Sequence, residues 1–194
     1  YAVLTNITPE HIEAHGGFER YRASKLKFFE YAAKHGKKTA IMNADDPSAK
    51  MFFNFPFSKK IKYSGADLDY FNPLFGDFNN ANVMAAVKVA EAEGLSRGQI
   101  EHALKTFPGV PGRLELVQRE PFAIVVDYAH TPDALRKVYG LLKNQIPGTR
   151  NPSPRLICVL GAAGGGRDKW KRPEFGKIAA ECCYEIILTN EDPY

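Results

Sequence analysis

Phe18, Tyr21, Lys25, Phe28 and Ala32 recur at spacings of three and four, which predicts a helix over residues 18–35 with that stripe facing a core. Gly36 follows as a left-handed C-cap, and Lys34 and His35 suit the last turn. Residues 39–42 read as a short buried strand ended by the turn-rich Asn43-Ala44-Asp45-Asp46-Pro47, and residues 60–64 as a second strand. A helix is expected over 80–93, closed by Gly94. Another follows at once, because Ser96 and Gln99 have capping-box spacing and Ile100, Ala103 and Leu104 form an apolar face. Pro108-Gly109-Val110-Pro111-Gly112 is the strongest punctuation in the chain, so the domain boundary is placed there, giving domains 1–110 and 111–194. Beyond it, strands are expected over 114–119 and 122–127 around Glu120-Pro121. Thr131 caps a helix that has Pro132 at its first position and runs to about residue 143. A strand over 156–160, a glycine loop, a helix over 173–183 and a strand over 185–189 complete the pattern. This β-α-β-α-β alternation predicts a parallel sheet covered by helices, an α/β fold.

Composition narrows the classes. The 194 residues are 44% hydrophobic and 25% charged, which excludes disordered and fibrous chains. No apolar run reaches membrane-spanning length. The net charge of +4 is spread along the chain without a nucleic-acid-binding signature, so no nucleic-acid partner is expected, while small anions such as phosphates remain compatible. Cys158, Cys182 and Cys183 are odd in number and lack zinc-like spacing, which fits a reducing, cytoplasmic compartment. The chain opens at Tyr1 without an initiator Met or signal peptide and reads as a piece of a longer protein.

Five places carry candidate chemistry. Lys25 lies in the apolar stripe, where burial would lower its pKa and free a neutral amine to act as nucleophile or base or to form a carbamate; the alternative is a lysine snorkelling from the stripe edge. His11 and His15, four apart in a polar stretch with Asn6 and Glu13, have metal-pair spacing but also suit a plain surface loop. The loop from Gly161 to Lys169 sits between a strand and a helix, where α/β folds bind ligands. It matches neither common phosphate-binding glycine pattern. Its backbone N–H groups with Arg167, Lys169, Lys171 and Arg172 suit an anion, and a solvated turn is the alternative. Asp127-Tyr128-Ala129-His130-Thr131-Pro132-Asp133 ends another strand, where an Asp can accept ribose hydroxyls, hold a magnesium-bound water, or simply cap the next helix. Arg113 reads as either a phosphate clamp or a structural arginine.

Taken in order, these strings resemble the Mur ligases. The resemblance rests on Thr5-Asn6-Ile7-Thr8-Pro9-Glu10-His11-Ile12-Glu13, Ala23-Ser24-Lys25, Phe78-Asn79-Asn80-Ala81-Asn82 and Gly109-Val110-Pro111-Gly112-Arg113-Leu114-Glu115. Asp127-Tyr128-Ala129-His130-Thr131-Pro132 and Gly164-Gly165-Gly166-Arg167-Asp168-Lys169 with Lys171-Arg172-Pro173 complete it, and look specifically like the members that add the third residue of the peptidoglycan stem. The resemblance implies the remainder of a P-loop-type ATPase central domain plus a Rossmann-like C-terminal α/β domain, both with mainly parallel sheets. It implies an ATP- and Mg2+-dependent ligase that phosphorylates the terminal carboxylate of UDP-N-acetylmuramoyl-L-alanyl-D-glutamate and passes the acyl group to a free amino acid. Lys25, as a carbamate, and His11 match metal-holding residues. Asn79, Asn82, Arg113 and Asp127 match residues that contact ATP, with Tyr128 and His130 lining the same cleft. Arg167 matches a residue near the amino acid's carboxylate.

Three departures from the family pattern stand out. No Gly-x-x-Gly-Lys-Thr loop is present, and the family places it upstream of Tyr1, so this piece alone is expected not to turn over. Only a few residues separate Tyr63-Ser64-Gly65-Ala66-Asp67 from Leu74-Phe75-Gly76-Asp77-Phe78-Asn79, where family members carry further strands, so the Asp67–Phe78 connection is read as either a true deletion or missing residues. Glu191-Asp192-Pro193-Tyr194 stands where diaminopimelate-adding members have Asp-Asn-Pro-Arg, and Tyr194 cannot make arginine's two-pronged grip on a carboxylate. Acidic Glu191 and Asp192 would suit a lysine-like substrate instead. A cyanophycin- or polyglutamate-type ligase and a non-catalytic Mur-ligase-like nucleotide- or partner-binding module are the competing readings. A monomer is expected.

Overall fold

The computed structural model describes residues 1–36, 39–144, 155–161 and 168–190. They form two compact units. One gathers Tyr1–Pro9 with His15–Pro108, and the other Glu10–Ala14 with Gly109–Tyr194.

The first unit is built on a parallel sheet of β1 (Ala2–Leu4), β2 (Thr39–Asn43) and β3 (Lys59–Tyr63), in that order. Ala2 pairs with Ala40, and Ile41 with Ile61. The centre of the middle strand is apolar because both its faces are covered, and Ala40, Ile41 and Met42 are all fully buried. The sequence also contains the short α1 (Ile12–His15), which clusters largely with the second unit. Ala40 and Met42 face α2 (Phe18–His35) and α3 (Ala49–Phe52), in a cluster with Tyr21, Phe29, Phe52 and Phe57. Ile41 points the other way, onto Met84 and Ala85 of α4 (Asn79–Ala92). α5 (Arg97–Thr106) adds Ile100 against Val83 and Val87. Its capping box forms as the spacing predicts: Ser96 Oγ accepts from Gln99 N and Gln99 Oε1 accepts from Ser96 N. Ser96→Ala is therefore expected to lower unfolding free energy by about 1 kcal/mol, read as a shift in urea midpoint.

The second helix has the predicted bounds but a different inward face. Tyr21, Phe29 and Ala33 are its buried residues, whereas Lys25 and Phe28 are exposed. Burial therefore gives no argument for a neutral Lys25, whose Nζ instead lies 5.2 Å from the Tyr21 ring centroid. Two adjacent phenylalanines let the stripe be drawn through either, and the aromatic pocket of Phe52 and Phe57 takes Phe29. Gly36 is also not left-handed. Its φ is −90°, and glycine is required there because a Cβ would come within 2.8 Å of the Ala32 carbonyl oxygen. Ala103, expected on the apolar face of α5, is exposed.

The second unit contains β4 (Glu115–Gln118) and β5 (Ile124–Val126), antiparallel across a cis Glu120–Pro121 bond with a register shift between Leu116 and Gln118. α6 (Pro132–Asn144), β6 (Ile157–Leu160), α7 (Lys171–Cys182) and β7 (Glu185–Leu188) follow. Thr131 Oγ1 accepts from Ala134 N at 3.2 Å, the cap expected before Pro132. β6 and β7 are parallel, with Cys158 and Leu160 turned inward. Among the described residues β5 pairs with β4 alone, so the three strands of the β-α-β-α-β stretch do not form one sheet; β6 and β7 keep the parallel pairing expected of them. No described helix is long and apolar enough to cross a membrane.

Candidate functional site

In the first unit, the polar positions collect where the parallel strands end. Asp46 Oδ2 accepts from Ile7 N and Oδ1 from Ser48 N, both at 2.7 Å. Asn43 Nδ2 donates to the Thr5 carbonyl at 2.8 Å, and the Tyr63 hydroxyl donates to the Leu4 carbonyl at 3.1 Å. Asp45 accepts from Ser64 Oγ and Gly65 N. Burial, reinforced by the charges of Asp45 and Asp46, pushes the Tyr63 phenol up to about 12. A raised folded-state value means that the neutral phenol contributes stability fully below the unfolded value of about 10, and that this is lost as pH climbs towards 12. Urea midpoints at pH 8 and pH 11 should thus fall further for the native protein than for Tyr63→Phe.

Asn79 and Asn82 occupy the first turn of α4. Asn82 Nδ2 donates to Asn79 Oδ1, and Asn79 Nδ2 to the Phe75 carbonyl, so the two predicted nucleotide-facing side chains are tied together. The short connection before them is organised by Asn72, which bonds Leu74 N and the Asn80 side chain.

The second unit brings Arg113, Asp127, Tyr128 and His130 together. The Arg113 guanidinium lies 4.8 Å from the Tyr128 ring centroid, and that ring is 4.8 Å from His130. Both oxygens of Asp127 accept backbone N–H groups, from Leu114 and Ala129, each at 2.8 Å. The capping alternative for Asp127 is therefore real, and through Leu114 it also fixes the backbone beside Arg113.

A second polar group in this unit is assembled around Lys171, in the first turn of α7. Its buried ammonium lies 3.2 Å from Glu10 Oε1 and 3.5 Å from Asp168 Oδ2. Glu10 Oε1 is also 3.0 Å from His130 Nε2, which links the two groups. Asp168 Oδ2 accepts from His11 N at 3.1 Å, and Trp170 Nε1 donates to its other oxygen. Burial raises the Asp168 pKa, but the Trp170 and Lys171 interactions outweigh it and hold the carboxyl below its ordinary value. Among the described residues, the three non-glycine positions with left-handed backbone are His11, Leu114 and Asp168. Each such position costs roughly 1–2 kcal/mol. All three lie in these two groups, and the His11 and Leu114 amides are each held by a carboxylate. Strain retained in this way is a mark of functional segments.

Sequence reasoning placed Lys171 on an anion site and passed over its pairing with Glu10. The available signal was its position, because a lysine in the first turn opposes the helix dipole unless a carboxylate stands nearby. His11 faces Asp168, and His15 packs beside Tyr21. Among the described residues, no group of three or more His, Cys, Asp or Glu side chains is placed to hold a metal ion. Arg167, Glu191, Asp192 and Tyr194 lie outside the described residues.

Comparison with known proteins places the chain in an α/β family. Residues 1–67 match the Mur ligase middle domain, and residues 112–194 the glutamate ligase domain of Mur ligase. The chain belongs to the Mur ligase family. It is 36% identical to the UDP-N-acetylmuramoyl-L-alanyl-D-glutamate–2,6-diaminopimelate ligase of Thermosynechococcus vestitus, over 99% of this chain and 43% of that protein. It is also 36% identical to a UDP-N-acetylmuramyl-tripeptide synthetase of a Roseiflexus species, over 99% of this chain and 44% of that one. A solved structure of a UDP-N-acetylmuramoyl-L-alanyl-D-glutamate–2,6-diaminopimelate ligase matches with a TM-score of 0.59 and 31% identity, over 99% of this chain and 44% of that structure. The chain thus spans less than half the length of these relatives. The first alignment occupies 222 positions against 194 residues here, so that relative carries residues this chain lacks. The middle-domain match ends at residue 67.

Proposed function

We propose that the full-length protein carrying this chain is an ATP-dependent amide-bond ligase that adds an amino acid to UDP-N-acetylmuramoyl-L-alanyl-D-glutamate. The observation that carries this reading is 36% identity along 99% of the chain to proteins named for that reaction. In the reaction proposed, the substrate carboxylate attacks the γ-phosphoryl group, giving an acyl phosphate and ADP. The amino group of the incoming amino acid adds to the acyl carbon, and phosphate leaves from the tetrahedral intermediate. Two anions must meet, so cationic and hydrogen-bonding groups have to be in place before the chemistry begins.

The side chains supply such groups. Asn79, Asn82, Arg113, Asp127, Tyr128 and His130 are each assigned to ATP on the family motif that each matches. Stacking of Arg113 on Tyr128 supports this assignment, because it holds the guanidinium without consuming its hydrogen-bond donors. The magnesium implied by the family is a different matter. The described residues form no metal centre by themselves, and the exposure of Lys25 gives a carbamate there no support. No step is therefore assigned to a metal, and Lys25 and His11 rest on the family motif alone.

Arg167 is assigned to the amino acid's carboxylate, and Glu191, Asp192 and Tyr194 to its side chain. We favour a lysine-like substrate, because Tyr194 replaces the arginine of the diaminopimelate-binding string. Amino acid-dependent ADP release by the full-length protein tests this reading. Faster turnover with L-lysine is expected, and equal or faster turnover with meso-diaminopimelate would overturn the substrate assignment. The Lys25→Ala variant should release no ADP in the same assay, and full activity would remove Lys25 from the site.

A further inference from the structure

Three buried side chains grip the backbone of one short segment from beneath. Asp46, Asn43 and Tyr63 are 7%, 6% and 2% exposed. They reach residues 4–7 at three points: the Leu4 carbonyl through Tyr63, the Thr5 carbonyl through Asn43, and the Ile7 amide through Asp46. None of these contacts belongs to the strand ladder, which ends at Leu4 paired with Met42. The segment is the stretch in which β1 gives way to the Thr5-Asn6-Ile7-Thr8-Pro9-Glu10-His11 motif. A chain leaving a strand would ordinarily satisfy its backbone groups with water and keep its freedom. Here a carboxylate, a carboxamide and a phenol replace the water.

The carboxylate is the member with the largest consequence. Asp46 uses both oxygens on backbone N–H groups, so it ties the exit of β1 to the turn after β2. Such charge-assisted bonds are short and strong, and an amide in its place would turn an N–H group towards one of the two donors. The core alone would not need this. Ile7 already packs with Tyr21 and Phe29 in the hydrophobic cluster, so the carboxylate adds orientation of the following residues rather than burial.

Resting on the ligase reading above, we propose that Asp46, supported by Asn43 and Tyr63, is a positioning residue of the enzyme. It fixes the backbone of residues 4–7 so that Asn6 and the motif leading to His11 start from one conformation. It touches no substrate, and it acts through the loop it holds.

The test uses the full-length protein and measures ADP release with the amino acid and ATP varied separately. Asp46→Asn should lower kcat by about 10- to 100-fold, the loss expected from misplacing reacting groups by about an ångström. The KM for the amino acid should stay within about twofold, since its proposed contacts lie in the other unit. Hydrogen exchange at the Ile7 amide should accelerate in this variant while the thermal transition remains cooperative. Tyr63→Phe keeps the ring in the core and removes one grip. It should show the same pattern more weakly, and it carries the test if Asp46→Asn fails to fold. A kcat within about twofold of wild type in a folded Asp46→Asn protein would overturn the proposal. So would losses that only follow the folded fraction. If wild type releases no ADP with any amino acid, the ligase reading itself has failed, while exchange at Ile7 still reports whether Asp46 holds the loop.

Discussion

Replacing Lys171 by methionine is expected to lower the unfolding free energy of the second unit by about 3–5 kcal/mol, the usual penalty for removing one member of a buried ion pair. The lysine ammonium is shared by Glu10 and Asp168, which are 15% and 5% exposed at their side chains. Without it, two carboxylates remain close to one another with little water to screen them. Methionine fills a similar volume, so the loss is electrostatic rather than a cavity. The double variant Lys171→Met with Glu10→Gln should recover a large part of that loss, because a neutral amide replaces the stranded charge. Urea unfolding followed by tryptophan fluorescence reads this, since Trp170 is the single tryptophan and bonds to Asp168. A loss below about 1 kcal/mol would mean that the ammonium is solvated rather than paired, as exposed ion pairs are.

The second large effect belongs to the aromatic pocket of the first unit. Phe52 is fully buried, with its ring edge-on to Phe29 at 4.7 Å between centroids. Phe52→Ala should destabilise by about 3–5 kcal/mol, combining lost transfer energy with an unfilled cavity. Phe28→Ala, one position from Phe29 in sequence, should change stability by no more than about 0.5 kcal/mol because that ring is 55% exposed. Denaturant midpoints for the two variants test whether Phe28 lies outside the pocket that Phe52 fills. Equal effects would contradict the face assigned to α2.

Those adjacent phenylalanines show where sequence reading worked and where it failed. Helix bounds were legible because caps and punctuation are local: Ser96 with Gln99, Thr131 before Pro132, and Gly94 after α4 each act within a few residues. The inward face of α2 was not legible, because Phe28 and Phe29 fit the helical period equally well and only the pocket around Phe52 chooses between them. β1 escaped notice for a similar reason. Three residues carry no periodicity, and they become a strand only by pairing with Thr39–Asn43 far along the chain. The separation of β5 from β6 is likewise a matter of pairing partners, which alternation of elements does not specify.

The candidate site divides along the same line. Arg113, Asp127, Tyr128 and His130 were legible as motif residues; Arg113 and His130 lie against the Tyr128 ring, and Asp127 holds the Leu114 and Ala129 amides. Glu10, Asp168 and Lys171 form a group that no sequence window contains, since 161 positions separate Glu10 from Lys171. Asp46 read as a turn residue because its partner, the Ile7 amide, lies 39 positions away. The burial argument for Lys25 failed where a local rule was pressed beyond its reach, for helical spacing fixes a stripe only to within one residue.

The central claim is that the full-length protein joins an amino acid to a carboxylate activated as an acyl phosphate. Oxygen transfer tests it most directly. UDP-N-acetylmuramoyl-L-alanyl-D-glutamate labelled with heavy oxygen in its terminal carboxylate is incubated with the full-length protein, ATP and amino acid, and the released phosphate is weighed by mass spectrometry. An acyl-phosphate route places one carboxylate oxygen in each phosphate formed, with ADP and the tripeptide product in equal amounts. Unlabelled phosphate, or phosphate released without tripeptide, would contradict the account.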